Sequence, residues 1–124
     1  MRKSKQTVED KKLIVRWESQ IRKGMLDFVI LLCLKREESY GYRLIRNIKE
    51  ISTLDISEGT IYPLLTRLKK DDLITSKWVE LETGIPRKYY QITEKGEKIL
   101  SDMIESWEQF NSSLKLLLVG GEEQ

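Results

Sequence analysis

Ile56-Ser57-Glu58-Gly59-Thr60-Ile61-Tyr62-Pro63-Leu64-Leu65-Thr66-Arg67-Leu68, with Leu73-Ile74-Thr75-Ser76-Lys77-Trp78-Val79-Glu80-Leu81 behind it, is the stretch from which the fold is read. In its first part Ile61, Leu64, Leu65 and Leu68 fall at i, i+3, i+4 and i+7, which marks a helix with one buried face. The opposite face carries Gly59, Pro63, Thr66 and Lys70, with Thr60, Tyr62 and Arg67 on the flanks. Ser57 stands where its hydroxyl can cap the N–H of Thr60. Pro63 requires that regular helix begin late or that the first turn be bent, because a proline deep in a helix deletes a hydrogen bond. The second part is rich in Trp and β-branched residues and reads as a strand. Glu82-Thr83-Gly84-Ile85-Pro86 supplies turn residues, and Arg87-Lys88-Tyr89-Tyr90-Gln91-Ile92 reads as the returning strand. The result is a helix followed by a β-hairpin with two cations just past its tip.

Upstream, residues 11–23 place Leu13, Ile14, Trp17 and Ile21 at near-helical spacing among Lys, Arg and Glu. This predicts a short amphipathic helix whose stripe needs a surface, and a partner subunit would supply one. Met25 to Leu34 is almost continuously apolar; periodicity alone leaves strand and helix open, and its Leu and Met content favours helix. Leu44, Ile45, Ile48 and Ile51 then mark the inner face of another helix, with Ser39 as its N-cap. Downstream, Thr93 caps a final helix over 94–118. Leu100, Met103, Trp107, Phe110, Leu114 and Leu117 form an a/d seam along it, a pattern that calls for a second helix.

The order helix, helix, helix, hairpin predicts a mainly α chain with a small β-hairpin, an α+β winged helix-turn-helix. Residues 1–10 are expected to be a flexible N-terminus, 11–92 the winged-helix domain with its N-terminal helix, 93–118 a dimerisation helix and 119–124 a tail.

The chain contains no histidine. The commonest general base and the commonest metal ligand are therefore absent. With a single cysteine, a zinc site would have to be built from carboxylates, so no metal and no cofactor is expected. No phosphate-cradling glycine loop occurs, and Gly120-Gly121 lacks the following Lys-Ser/Thr pair. An enzyme is not expected. Cys33 lies inside the run Phe28 to Leu34 and reads as a small core residue of a protein from a reducing compartment. No signal-peptide pattern and no membrane-length apolar run occurs, so the expected location is the cytoplasm. Net charge is only +2, but residues 1–23 hold eight Lys/Arg against three Asp/Glu, and residues 94–124 three against seven. That polarity suits a molecule that turns one side to a polyanion, and equally an unevenly solvated surface.

Lys23-Gly24-Met25-Leu26-Asp27, Ser39-Tyr40-Gly41-Tyr42, Ile56 to Leu68, Pro86-Arg87-Lys88-Tyr89-Tyr90 and Thr93-Glu94-Lys95-Gly96 together resemble the PadR family of transcriptional regulators. The resemblance covers about residues 20–118, and the single C-terminal helix is similar to that of the smaller PadR subfamily. Lys69-Lys70-Asp71-Asp72 stands where relatives often have an acidic-lysine-glycine turn. The resemblance implies a homodimeric, repressor-like protein on a near-palindromic DNA operator, released by a small aromatic effector held between paired tryptophans. Trp107 falls at that position through Glu105-Ser106-Trp107.

Thr60, Tyr62, Arg67 and Lys70 are the candidate DNA contacts from the third helix. Ser57 and Gly59 at its N-terminus can offer backbone N–H groups to phosphate. Tyr40 and Tyr42 are candidate hydroxyl donors, with core packing as the plain alternative. Arg87 and Lys88 suit phosphate or minor-groove contact. Arg43, Arg46 and Lys49 are weaker phosphate candidates, since they read as solvent-facing. Trp107, with Trp17, Met103 and Phe110, is the candidate effector site; a tryptophan in such a seam is otherwise interface core. Two further readings stay open: a dimeric DNA-binding protein without a sensor, and a winged-helix module that binds protein.

Overall fold

The computed structural model describes residues 7–51 and 54–122. Residues 1–6 of the expected flexible N-terminus, Ser52-Thr53 and the last two tail residues lie outside that range.

Helix α1 runs from Val8 to Arg36 without interruption. It replaces the two helices expected from the sequence and takes in residues 8–10 of the expected loose terminus. Its start is fixed by a reciprocal capping box. Thr7 Oγ1 accepts from the Asp10 N–H, and the Asp10 carboxylate accepts from the Thr7 N–H. Gly24 lies mid-helix, where a glycine costs about 1 kcal/mol relative to alanine but does not break the helix. The helix is divided by burial instead. Leu26, Phe28, Ile30, Leu31 and Leu34 are buried, whereas Val8, Leu13, Ile14, Val15, Trp17 and Ile21 are exposed.

Strand β1, Ser39–Tyr40, leads directly into α2, Gly41–Ile51. Ser39 is therefore not the N-cap its position suggested. It is buried, pairs with Tyr90 across the sheet, and its hydroxyl donates to the Tyr40 carbonyl. Leu44, Ile45 and Ile48 of α2 enter the core as expected, but Ile51 in the last turn is exposed.

Helix α3 spans Glu58–Lys70 and buries Ile61, Leu65 and Leu68. Pro63 is accommodated with neither a late start nor a break. The N–H it lacks would have bonded the carbonyl of Gly59, which sits in the exposed first turn, open to solvent. Ser57 makes no side-chain cap; its carbonyl receives the Thr60 and Ile61 N–H groups, and its hydroxyl lies 3.3 Å from Thr60 Oγ1.

Asp72, just past α3, has φ = 60°, and is the only non-glycine residue with positive φ among the described residues. It takes up the left-handed conformation, which aspartate is among the few L-residues to tolerate.

Strands β2, Ile74–Val79, and β3, Arg87–Ile92, form the hairpin. The sheet has three strands, not two, in the order β1-β3-β2 and antiparallel throughout. Helix α4 runs from Glu94 to Glu122, one turn beyond the expected end. Thr93 caps it as expected, with its Oγ1 accepting from the Gly96 N–H at 2.9 Å. Gly96 fits because its backbone touches the Leu73 carbonyl, where a Cβ would stand 2.0 Å away. On α4 only Leu100 of the predicted seam is fully buried, with Met103 and Ile104 packed at the edge of the core. Trp107, Phe110, Leu114, Leu116, Leu117, Leu118 and Val119 are exposed, an apolar face wider than the seam.

The core is thus one cluster: the second half of α1, α2, α3, Ile56, Ile74, Tyr90 and Leu100. The outer halves of α1 and α4 leave it behind. Lys35 near the end of α1 bridges Glu97 in the first turn of α4 at 3.3 Å.

Candidate nucleic-acid interface

The start of α2, the exposed face of α3 and the hairpin meet at one cleft of about 400 Å³. Tyr40, Gly41, Tyr42, Tyr62, Trp78, Arg87, Lys88 and Tyr90 line it, so five of the predicted contact residues are brought together: Tyr40, Tyr42, Tyr62, Arg87 and Lys88. As site residues the sequence reading missed Gly41, Trp78 and Tyr90. Gly41 is buried beneath the Tyr62 ring, a contact between two helices that no local pattern shows. Trp78 carried a signal, since a strand position with a large aromatic on a charged, turn-flanked hairpin is worth asking about.

Strand alternation divides the two wing cations. Arg87 turns toward Tyr40, with its guanidinium 4.2 Å from the ring centre, while Tyr40 meets Tyr89 edge-on at 5.4 Å. Lys88 lies on the other face, opposite Trp78 in the register, with its ammonium about 6 Å from both the Trp78 and the Tyr90 rings. Burial raises the Tyr90 phenol above its ordinary value, and neighbouring Tyr62 adds to the effect. Tyr90 therefore stays neutral and packs, whereas Tyr42 and Tyr62 keep solvent-exposed rings.

The cations differ in how they are compensated. Arg43 pairs with Glu37, Arg46 with Glu50 and Lys49 with Asp55, so the weaker α2 candidates are each neutralised. Arg67 on α3 turns back to Asp27 on α1. Lys69 donates to Ser76 Oγ at 2.7 Å and ties α3 to β2. Among the described residues no carboxylate lies within 4.0 Å of the charged nitrogens of Lys70, Arg87 or Lys88. Ser57, Gly59, Thr60 and Lys70 are all exposed along α3.

The second predicted site falls elsewhere. Met103, Trp107 and Phe110 line a shallow groove of about 330 Å³ between α1 and α4, with Met25, Phe28 and Ile99. Trp17 is not part of it; it lies seven residues before Gly24 on α1, about 10 Å along the helix. Cys33 is half-buried, and burial raises its thiol pKa despite nearby Arg36. No helix of the described residues is long and apolar enough to cross a membrane.

A helical pair, a polar third helix and a sheet-backed hairpin beside it define a winged helix-turn-helix protein. The family model of the PadR-like transcriptional regulators matches residues 30–102. A PadR-like transcription factor structure from Bacteroides fragilis is 46% identical, with TM-score 0.70, covering 82% of this chain and 98% of that one. A PadR family regulator from Eggerthella lenta is 28% identical with TM-score 0.81, covering 90% and 97%. The transcriptional regulator YqjI of Escherichia coli is 36% identical over 99 residues, 78% of this chain; the chain spans about half, 46%, of that relative. The chain belongs to the PadR-like family of transcriptional regulators, proteins that bind DNA and are not enzymes.

Proposed function

We propose that the chain acts as a homodimer on a near-palindromic operator, as a repressor in the cytoplasm. The observation that carries this reading is the presence of two distinct surfaces. In one, the exposed face of α3 stands beside wing cations that no described carboxylate neutralises. In the other, the outer halves of α1 and α4 present Leu13, Trp17, Ile21, Phe110, Leu114 and Leu117 to solvent. Apolar surface of that extent calls for a cover, and a second copy offers the same two helices. Two α3 helices then enter successive major grooves about 10 bp, or a multiple of one turn, apart.

In this reading Thr60 and Tyr62 face the bases, while Ser57, Gly59, Tyr42, Lys70, Arg87 and Lys88 hold the backbone. Tyr40 acts as the platform for Arg87, and Arg67 first serves to hold α3 against α1. The test is a salt titration of duplex binding. Replacing Arg87 and Lys88 together by alanine should lower affinity for all sequences and reduce the log–log salt slope by about two. An unchanged slope rejects the wing contact. A single subunit at micromolar concentration, by sedimentation, rejects the dimer.

The groove at Trp107 favours a second element, release by a planar aromatic effector. An apolar, adaptable lining with Met103 suits such a ligand. Its differential affinity for two dimer geometries would set the release. Quenching of tryptophan emission by planar aromatics, lost in Trp107→Leu with the dimer intact, is the expected result.

A further inference from the structure

Trp78 is 69% exposed on the wing and is the largest side chain in the hairpin. Left in water, an indole forgoes the stabilisation that burial of a large apolar side chain provides. Its surroundings are specific. It is paired in register with Lys88, whose ammonium lies 6.0 Å from its ring centre. Both border the cleft toward which Tyr42 and Tyr62 turn. The cleft thus has aromatic walls, hydroxyl donors and cations, and no acid among its lining residues. The lining offers an anion both cations and hydroxyl donors, and an apolar group aromatic faces, but offers no carboxylate to a cation.

We propose that this cleft receives one deoxyribose-phosphate unit of the operator backbone, with the Trp78 indole against the sugar and Lys88 and the Tyr42 hydroxyl on the phosphate. The proposal rests on the DNA-binding reading and deepens it. The sugar offers C–H groups that match an indole face. The aromatic walls exclude water around the phosphate, which strengthens its attraction to Lys88. Because Trp78 sits on the wing strand and not on α3, the contact positions the duplex and carries no sequence information. Trp78 thereby sets the approach of the wing to the DNA.

The test titrates two duplexes of equal length, one selected from genomic fragments by the wild-type protein and one unrelated, against wild type, Trp78→Ala and Trp78→Phe. Trp78→Ala should weaken both duplexes by the same factor, about tenfold, leaving the ratio of affinities unchanged. Trp78→Phe should restore most of the loss. The emission change on DNA binding should be present in wild type and absent in Trp78→Phe. Thermal melting should match wild type, since the side chain is exposed. Equal affinities for wild type and Trp78→Ala overturn the proposal, and so does a loss confined to the selected duplex, which would make Trp78 a base reader. Wild-type protein that binds neither duplex overturns the DNA-binding reading itself, and the cleft falls with it.

Discussion

The Tyr62 ring of α3 lies so close on Gly41 of α2 that a Cβ added to Gly41 would stand 2.6 Å from the phenol's Cε1 and Oη. The glycine therefore sets where the Tyr62 ring of α3 points. In Gly41→Ala the exposed ring yields, because its far end is free to move while the helices are not. The expected result is a small change in melting temperature and a several-fold loss of duplex affinity, on the order of the 0.5–1.5 kcal/mol of a displaced rotamer. In a Tyr62→Ala background the same change should cost almost nothing, and a double-mutant cycle measures the difference.

Asp72 holds the left-handed turn between α3 and β2. Asp72→Gly removes the steric penalty at φ = 60°, and the gain exceeds the extra unfolded-state freedom of glycine. Stability should rise by about 0.5–1 kcal/mol, a few degrees in melting temperature. Asp72→Val should fall in the opposite direction. Equal melting of the two variants would refute the assignment.

Glu38 lies at the outer face of the sheet, where the Lys77 ammonium at 3.1 Å and then the Gln91 amide lower its carboxyl below the usual range. A depressed folded-state value gives stability that is present above the unfolded carboxylate value and is lost as pH falls through the folded one. Lys77→Met should move the Glu38 titration, followed by carboxyl NMR, upward. Glu38→Gln should flatten the acid limb of a denaturation series. The carboxylate is exposed, so both effects are modest and fade in high salt.

Arg67 was legible as a flank residue of α3, yet its guanidinium meets Asp27 forty residues earlier. Arg67→Ala should lower stability by about 1 kcal/mol or less, as expected of a partly exposed ion pair. Its salt slope on DNA should stay as in wild type, because Asp27 already compensates the charge. Lys88→Ala should instead reduce the slope by about one with little change in stability. If Arg67→Ala also flattens the slope, the guanidinium reaches phosphate in the complex.

What the sequence determined by itself was a large part of the local structure. The buried faces of α2 and α3, the strands of the hairpin and the Thr93 cap follow from side-chain period and from hydrogen bonds three or four residues apart. The cations of the wing were visible for the same reason. Arg43, Arg46 and Lys49 find carboxylates within six residues, whereas tertiary structure alone decided that Arg67 meets the remote Asp27 and that Arg87 and Lys88 meet aromatic rings. It also decided that Gly24 does not divide α1, that Ser39 joins a sheet instead of capping a helix, and that Trp17 stays apart from Trp107. Those outcomes depend on distances between segments remote in sequence, and no periodicity encodes such distances.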